Sequence, residues 1–278
     1  MHDEALGAKQ AALIGVVQAP MQRVWAGQAW AEGARTDEML VVEEPLELRI
    51  EGKTAAITMR TPGDDLDLAA GFLFTEGVID GWDDVAAMAQ LDDPADPRGN
   101  AVHVRLAAGV PALRARAADR ALFATSSCGV CGKASIAGLL AAHPPLPAFN
   151  LPEVDVLLGL PQRLRRAQPR FDQTGGLHAA ALFHWDGRFE MVREDVGRHN
   201  AVDKLIGARL RADACPIPDR LLVVSGRVGM EIVQKALVAR IPGIVSVGPP
   251  TSLAVELSRA AGQLLVGFIR EGRLNRYA

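Results

Sequence analysis

The amino-acid sequence predicts an α/β protein in which an α+β N-terminal domain is followed by a mixed-sheet, three-layer domain. After Gly175, strand-like and helix-like segments alternate in the order β-β-α-β-α-β-α-β, which is typical of helices packed on the faces of a sheet. Before that point, residues 40–63 read as two strands joined by a turn, and a helical pattern follows. A proline-rich stretch over residues 143–171 separates the two patterns.

These patterns divide the chain into four parts. We expect a flexible tail at residues 1–20, an α+β domain at residues 21–145, a linker with one short helix at residues 146–174, and an α/β cofactor-binding domain at residues 175–278. A chain of 278 residues is long enough to form two hydrophobic cores.

The N-terminal domain is predicted from a hairpin, a helix and a further strand. Glu51-Gly52-Lys53 is the expected turn of the hairpin, because glycine readily adopts turn conformations. Asp64 and Asp65 are candidate caps of a helix that ends near Gly77. Residues 101–110 supply the further strand.

The C-terminal domain is predicted to contain a mostly parallel sheet, because a hairpin is followed by βαβ units. Loops at the carboxyl ends of such strands form the natural ligand site. The loops expected there are Ser225-Gly226-Arg227 and Gly248-Pro249-Pro250-Thr251. Neither matches the phosphate-binding GxxxxGK[ST] pattern or the dinucleotide GxGxxG pattern, so ordinary ATP or NAD binding is disfavoured.

The composition indicates a globular protein with an aliphatic core. Apolar residues make up 49% of the chain, aromatic residues 5%, and the formal net charge is −3. These values argue against nonspecific and single-stranded nucleic-acid binding. No run approaches the ~18 apolar residues of a membrane span, and the N-terminus lacks the basic flank and cleavage site of a secretory signal. We therefore expect a cytoplasmic protein without nucleic-acid or membrane partners.

Cys128 and Cys131 lie in the segment SSCGVCGKAS, just before a predicted helix. The free N–H groups and positive dipole end of a helix start, together with the nearby Lys133, favour the thiolate form of a cysteine. Flanking glycines leave the sulfur sterically accessible. Three cysteines in the whole chain are too few for a disulfide scaffold. The pair therefore predicts thiol chemistry rather than a structural crosslink.

Four interpretations of this pair remain open from the residues alone: apolar filling, zinc binding, a thioredoxin-like redox couple, and a nucleophilic thiolate that carries sulfur as a persulfide. Zinc would need two further ligands, for which the chain offers the isolated Cys215 or histidines such as His178 and His199. A redox couple should follow a strand, and the segment before Ser126 is a poor strand.

Polar residues are concentrated where a predicted strand meets a predicted helix, in the segment REDVGRHNAVDK. The amide groups of that helix start, with Arg198 and His199, can form an anion or nucleotide pocket. The alternative is a solvated helix cap, because Asp195 and Asn200 are ordinary capping residues. His178, within an apolar strand, is either a satisfied core histidine or a weaker candidate for the same pocket.

Arginines supply two further candidate phosphate ligands. Arg227 lies in a second strand-to-helix loop. Arg270, Arg273 and Arg276 are expected on a tail that leaves the last strand, where guanidinium groups can clamp phosphates or simply be solvated.

Eight motifs in order closely resemble the FdhD/NarQ family of formate dehydrogenase accessory sulfurtransferases. They cover nearly the whole chain, from about Val42 to Tyr277, and read EEPLELRI, TPGDDLDLAAGFLFTEGVI, SSCGVCGKASI, TGGLHAAALF, REDVGRHNAVDKLIG, SGRVGMEIVQKA, VSVGPPTSLAVELSRAAG and LVGFIREGRLNRY. A set of eight ordered motifs is far more specific than any one of them.

The resemblance implies a cytoplasmic sulfur carrier. Such a carrier accepts persulfide sulfur from a cysteine desulfurase (IscS-like) and delivers it to the Mo-bis(molybdopterin guanine dinucleotide) cofactor before insertion into formate dehydrogenase. Cys128 matches the persulfide cysteine of the family, and Cys131 the second cysteine of the same loop, which relays sulfur or resolves the persulfide. We also expect a homodimer, and GDP or GTP as a possible mimic of the cofactor.

The resemblance also implies the residues that contact the cofactor. The FIREGR segment matches a segment associated with the molybdopterin guanine dinucleotide, and it comprises Phe268, Ile269, Arg270, Glu271, Gly272 and Arg273. To these we add His178, Arg198, His199 and Arg227 as candidate phosphate or guanine contacts. No resident metal ligand is expected.

The order of elements in the C-terminal domain also resembles the cytidine-deaminase-like fold, which raises a zinc-dependent hydrolase as an alternative function. Deaminases need a His/Cys-x-Glu helix start and a Pro-Cys-x-x-Cys start on the next helix. The corresponding positions here read RHNAVD and SGRVGM, without cysteine. A noncatalytic chaperone of the molybdenum cofactor is a further alternative.

Overall fold

The computed structural model describes residues 14–90, 98–111 and 136–278, and it confirms the α/β class. The strands are β1 Val16–Arg23, β2 Ala34–Val41, β3 Glu44–Ile50, β4 Lys53–Arg60, β5 Val85–Gln90, β6 Ala101–Leu106, β7 His178–Phe183, β8 Phe189–Asp195, β9 Leu221–Val224, β10 Gly243–Ser246, β11 Leu264–Arg270 and β12 Arg273–Arg276. The α-helices are α1 Asp65–Thr75, α2 Ile136–Ala142, α3 Val154–Arg166, α4 Pro169–Thr174, α5 Arg198–Arg211, α6 Met230–Val238 and α7 Ser252–Ala261.

The described strands form three sheets. Strands β1 and β2 pair as an antiparallel ribbon, and β4-β3-β6-β5 form a four-stranded sheet. The prediction of a hairpin at Glu51-Gly52-Lys53 is confirmed, because β3 and β4 pair antiparallel and both Glu51 and Gly52 have positive φ. Val16 to Pro20 form the first part of β1 and pair with β2. The sequence assigns these five residues to a tail, which is incorrect because their backbone groups form ladder hydrogen bonds.

The third sheet has the order β12-β11-β10-β9-β7-β8 and is mixed rather than mostly parallel. Strands β9, β10 and β11 run parallel, whereas β7 is antiparallel to β9 and β8, and β12 is antiparallel to β11. The mixed sheet of the predicted fold class is therefore confirmed, whereas the expectation that most of its strand pairs are parallel is wrong. The reason is that an antiparallel hairpin forms each edge of the sheet, β7–β8 at one edge and β11–β12 at the other. Only the first of these hairpins was predicted from the sequence.

Helices cover both faces of this sheet, which gives three layers. Alternate sheet residues such as Leu182 and Leu222 pack with α1, α5 and α6. Phe183 and Val223 point to the opposite face, where they pack with Leu157, Leu160 and Leu164 of α3. The helix that the sequence assigns to the linker is thus the third layer of the C-terminal domain.

Helix α1 begins where the sequence predicts, but Asp64 does not cap it. The backbone of Asp64 is left-handed, with φ of 58°, and its side chain makes no capping hydrogen bond. Its carboxylate oxygens instead lie 3.6 Å from the guanidinium groups of Arg170 and Arg193. Arg60 binds the neighbouring Asp65 by two hydrogen bonds of 3.0 Å. Ion pairs to distant residues therefore replace the local cap.

Candidate functional site

The candidate site lies at the edge of the mixed sheet formed by the carboxyl ends of β8, β9 and β10. The loops Ser225-Gly226-Arg227 and Gly248-Pro249-Pro250-Thr251 both follow these strand ends, as predicted. His178 begins β7 and reaches the same edge, because β7 runs antiparallel to β9. The N–H of Phe268 donates to the carbonyl of Gly248 at 3.1 Å, which brings the end of β11 to this edge as well.

Two glycines allow the loops of this edge to pack closely. A Cβ at Gly226 would lie 3.1 Å from Nδ1 of His178, and a Cβ at Gly248 would lie 3.0 Å from the carbonyl oxygen of Gly226. Both distances are shorter than ordinary van der Waals contacts. The two loops are thus in close backbone contact, and a side chain at either glycine would not fit between its neighbours.

Helix α5 begins at the same edge. The carboxylate of Asp195 accepts hydrogen bonds from residues at the start of this helix. The carboxylate of Asp195 is fully buried and lies 2.7 Å from Nζ of Lys204. It also accepts hydrogen bonds from the Gly197 N–H at 2.8 Å, from Nδ2 of Asn200 at 3.1 Å and from the Thr61 N–H at 3.1 Å. The network fixes the helix start, and Arg198 and His199 are its first two residues.

The two candidate histidines are neutral at neutral pH. Burial lowers the pKa of His178, and the nearby Arg198 lowers it further. Burial, Arg198 and Lys235 lower the pKa of His199 to about 4. Nε2 of His199 is buried, has no hydrogen-bond partner among the described residues, and lies 3.6 Å from Oε2 of Glu231.

Glu231 is a residue of this edge that sequence analysis missed. It stands in the first turn of α6, two residues after Gly229. The only signal was its position just beyond the Ser225-Gly226-Arg227 loop. The predicted contacts in that segment included Arg227 and not this acid.

The FIREGR segment forms the hairpin between β11 and β12, so the predicted tail is wrong. Arg270 and Arg273 are paired across its turn, in which Gly272 has φ of 70°. Phe268 has φ of 53°, an uncommon conformation for a residue with a bulky side chain. Its exposed ring lies 5.5 Å from the Arg270 guanidinium, which also donates to the Val247 carbonyl at 3.1 Å.

The remaining residues that were predicted to contact the cofactor differ in their exposure to solvent. Ile269 is buried in the core, so it supports the hairpin rather than facing a ligand. Arg227, Glu271 and Arg273 are exposed. The structure therefore brings His178, Arg198, His199, Arg227 and Arg270 to one edge of the sheet.

Comparison with known proteins identifies the family. The model of the FdhD/NarQ family matches residues 41–278. The chain belongs to the FdhD/NarQ family. It is 48% identical over 256 residues to a sulfur carrier protein FdhD of Anaeromyxobacter dehalogenans, with 88% of each chain covered. It is 47% identical to a sulfur carrier protein FdhD of Mycolicibacterium paratuberculosis, covering 91% of this chain and 93% of the relative.

A solved structure shares the fold of this FdhD/NarQ chain. It is described as that of a formate dehydrogenase accessory protein from Desulfotalea psychrophila. The TM-score is 0.73 at 24% sequence identity, with 95% of this chain and 97% of that chain covered.

The cysteines of the family motif, Cys128 and Cys131, lie outside the described residues. The next described residue is Ile136, which begins α2. Ile136 lines a cavity of about 180 Å³ together with Met230 and Gln234 of α6. Met230 begins α6, which follows the Ser225-Gly226-Arg227 loop. The first described residue after the cysteine motif therefore lies near the start of α6, which follows a loop of the candidate site.

The third cysteine of this FdhD/NarQ chain has different surroundings. Cys215 lines an adjoining cavity of about 500 Å³, and burial raises its pKa to about 11. A thiol with such a pKa is protonated at neutral pH and is a poor nucleophile.

The described part of the FdhD/NarQ chain contains neither a cluster of metal ligands nor a membrane-spanning helix. Within residues 14–90, 98–111 and 136–278, no group of three or more His, Cys, Asp or Glu side chains could hold a metal ion. Over the same ranges, no helix combines the length and the apolar character needed to cross a bilayer.

Proposed function

We propose that this protein accepts sulfane sulfur from a cysteine desulfurase on Cys128 and delivers it to the Mo-bis(molybdopterin guanine dinucleotide) cofactor destined for formate dehydrogenase. The single observation that carries the proposal is the convergence of a glycine-lined sheet edge, several arginines and the end of the cysteine segment. Family membership supports the sulfur-carrier part of the proposal.

The sheet edge suits a large polyanionic substrate. Arg198, Arg227 and Arg270 provide guanidinium groups for phosphates, with which arginine forms short, charge-assisted hydrogen bonds. Gly226 and Gly248 are partly exposed at the same edge. From His178 on β7 to Phe268 on β11 the edge spans three strand spacings, roughly 14 Å. This width fits an extended dinucleotide-like substrate better than a small metabolite.

The cysteine segment is long enough to reach this edge. Cys131 precedes Ile136 by five residues (131 to 136) and Cys128 by eight (128 to 136). Extended chain spans at most ~3.3–3.6 Å per residue, so Cys131 is within roughly 18 Å of Ile136 and Cys128 within roughly 29 Å. Because Ile136 and Met230 line the same cavity, a sulfur on either cysteine is in reach of the sheet edge.

Sulfur transfer would proceed in two thiol-exchange steps. The Cys128 thiolate attacks the terminal sulfur of the desulfurase persulfide, so that a new S–S bond forms on Cys128 and the desulfurase thiolate leaves. Cys131 then attacks Cys128, which forms a Cys128–Cys131 disulfide and releases HS⁻ toward the bound substrate. The two electrons that reduce the sulfane sulfur come from the two cysteines. A cellular dithiol must afterwards reduce the disulfide.

Mass spectrometry after incubation with desulfurase and cysteine tests the proposal. We expect an adduct of about 32 Da, the mass of one sulfur atom, on the wild type and none on Cys128→Ala. Cys215→Ala is the matched control and should keep the adduct, because its buried thiol is protonated. An adduct that survives Cys128→Ala would contradict the assignment. The homodimer, the cytoplasmic location and the identity of the desulfurase remain predictions.

A further inference from the structure

Thr61, in the connection from β4 to α1, holds the junction of β8 and α5 by three hydrogen bonds. It is fully buried and directly follows the last residue of β4. Its N–H donates to Oδ2 of Asp195 at 3.1 Å, and its carbonyl accepts from Nζ of Lys204 at 2.8 Å. Its hydroxyl accepts from the Val196 N–H at 3.2 Å. The N–H, the carbonyl and the hydroxyl of Thr61 thus all bind a segment that lies 134 to 143 residues further along the chain.

The start of α5 lacks a side-chain cap of its own. Its N-cap residue is Gly197, which makes no side-chain hydrogen bond to the first turn, and the first turn contains no acidic residue. Local capping therefore contributes little to fixing this helix start. The N–H groups of the two residues before α5 are instead bound by Asp195, which accepts from Gly197, and by Thr61, which accepts from Val196.

One face of α5 is attached to the end of β4 and to Thr61. Nδ2 of Asn200 donates to the Met59 carbonyl at 2.7 Å, and its Oδ1 accepts from Oγ1 of Thr58 at 3.3 Å. Lys204, one turn later on the same face, donates to the Thr61 carbonyl. The N-terminal half of the chain therefore holds α5 at its first and second turns.

Arg198 stands on the other side of the helix, toward the sheet edge. It precedes Asn200 by two residues, which places it about 200° around the helix axis. Its positive charge lowers the pKa of His178, which begins β7, and the pKa of His199. Arg198 is thus close to the loops of the candidate site, while the anchoring contacts lie on the opposite side of the helix.

We propose that Thr61 and Asn200 are positioning residues for the substrate, because together they fix the helix start that carries Arg198. The inference rests on the proposed function, in which Arg198 binds a phosphate of the substrate. Thr61 is fully buried, so it acts through the residues that it binds and does not touch the substrate. The N-terminal half of the chain thereby sets the geometry of a site built on the C-terminal sheet.

Two substitutions of Thr61 separate positioning from packing. Thr61→Val has nearly the same shape and removes the hydroxyl that accepts from the Val196 N–H. Thr61→Ser keeps that acceptor and removes only the methyl group. Both variants should lower the free energy of unfolding, the first through a lost hydrogen bond and the second through lost packing. Only the first should disturb the helix start.

Calorimetric titration of the full-length protein with GDP tests the inference. We expect GDP to bind Thr61→Val about 10-fold more weakly than the wild type, the factor that corresponds to one hydrogen bond. Thr61→Ser should stay within about threefold of the wild type, although urea unfolding shows it to be destabilised. Thr54→Val, which removes a hydroxyl from the β3–β4 hairpin, should bind GDP like the wild type.

Asn200→Ala provides a second test, because the partly exposed Asn200 can be replaced without opening a cavity in the core. It removes the hydrogen bond to the Met59 carbonyl and should also weaken GDP binding by about 10-fold. The sulfur adduct on Cys128 does not use the sheet edge. Every variant should therefore form that adduct to the same extent as the wild type.

The outcomes separate this inference from the proposed function. If the wild type binds GDP, and Thr61→Val and Asn200→Ala bind it equally well, the inference is wrong while the proposed function stands. Equal losses in Thr61→Ser and Thr61→Val would show that Thr61 contributes packing alone, and would overturn its assignment. If the wild type does not bind GDP, the phosphate site of the proposed function is overturned, and this inference with it.

Discussion

At the scale of single residues, the surroundings of each polar group in the candidate site decide how that group is accommodated. Lys204 and Asp195 form a fully buried ion pair, whereas His199, which belongs to the same segment, is kept neutral. The difference arises because Asp195 has several donors around it and His199 has mainly cations. The residue types in REDVGRHNAVDK do not by themselves distinguish the ion-paired Asp195 from the neutral His199.

We predict that His199 makes the protein less stable as the pH falls. Its folded-state pKa of about 4 lies below the unfolded value of 6.5, so the unfolded chain binds more protons between these values. The free energy of unfolding should therefore decrease from pH 6.5 toward pH 4. Since the ring is partly exposed, we expect His199 to account for about 1 kcal/mol between pH 7 and pH 5.

Urea unfolding at pH 7 and pH 5 measures this contribution. His199→Gln should reduce the difference in unfolding free energy between the two pH values. His178→Gln is a useful comparison, because burial also lowers the pKa of His178. An unchanged pH dependence in His199→Gln would show that the imidazole is protonated as readily in the folded state as in the unfolded chain.

At the scale of elements, the contact between α1 and α5 depends on two glycines. A Cβ at Gly71 of α1 would lie 1.9 Å from the carbonyl oxygen of Asp203, and a Cβ at Gly207 of α5 would lie 1.8 Å from that of Asp67. Both atoms that the added Cβ would contact belong to the backbone, which cannot move aside as a flexible side chain can. The two helices therefore cross at a distance that only glycine permits.

We predict that Gly71→Ala lowers the free energy of unfolding by about 3 kcal/mol or more, because the helices must separate to admit the methyl group. The control is Gly159→Ala in α3, where the nearest atom to the added Cβ is 3.8 Å away. Alanine there should stabilise the helix by about 0.5–1 kcal/mol. Thermal and urea unfolding of both variants give the comparison, and similar stabilities would rule out the close crossing.

At the scale of the whole molecule, buried polar contacts connect the two halves of the chain. Nζ of Lys235 lies 2.8 Å from Oδ2 of Asp203 and donates to Oγ1 of Thr75 at 2.9 Å. Lys204 likewise donates to the Thr61 carbonyl at 2.8 Å. These contacts join α1 and the end of β4 to α5 and α6, across the predicted domain boundary. The division into domains at residues 145 and 175 stays a prediction.

We predict that Lys235→Met destabilises the protein by about 3–5 kcal/mol, because it leaves Asp203 buried without its cation. Burial raises the pKa of Asp203, which shows how poorly the site accepts an unpaired carboxylate. The double variant Lys235→Met/Asp203→Leu should be more stable than the single one. Urea unfolding measures both, with Lys53→Met in the exposed hairpin as control. Equal stability of Lys235→Met and Lys53→Met would contradict the prediction.

Many structural features of this protein could be predicted from its sequence, because the sequence patterns that indicate them are local. The Glu51-Gly52 turn, the order of strands and helices from β7 to β11, and the loops at Ser225 and Gly248 all follow from short-range periodicity and turn chemistry. The ordered motifs also indicated the FdhD/NarQ family correctly. Each of these features depends on neighbouring residues along the chain.

Other features could be decided only by the tertiary structure, because they depend on residues far apart in sequence. The role of α3 as the third layer, the binding of Asp195 by Lys204 and Thr61, and the pairing of Arg270 with Arg273 in a hairpin are of this kind. So is the position of Glu231 beside an uncharged His199. Burial and electrostatic environment are set by the packing of distant segments, and residue type alone does not reveal them.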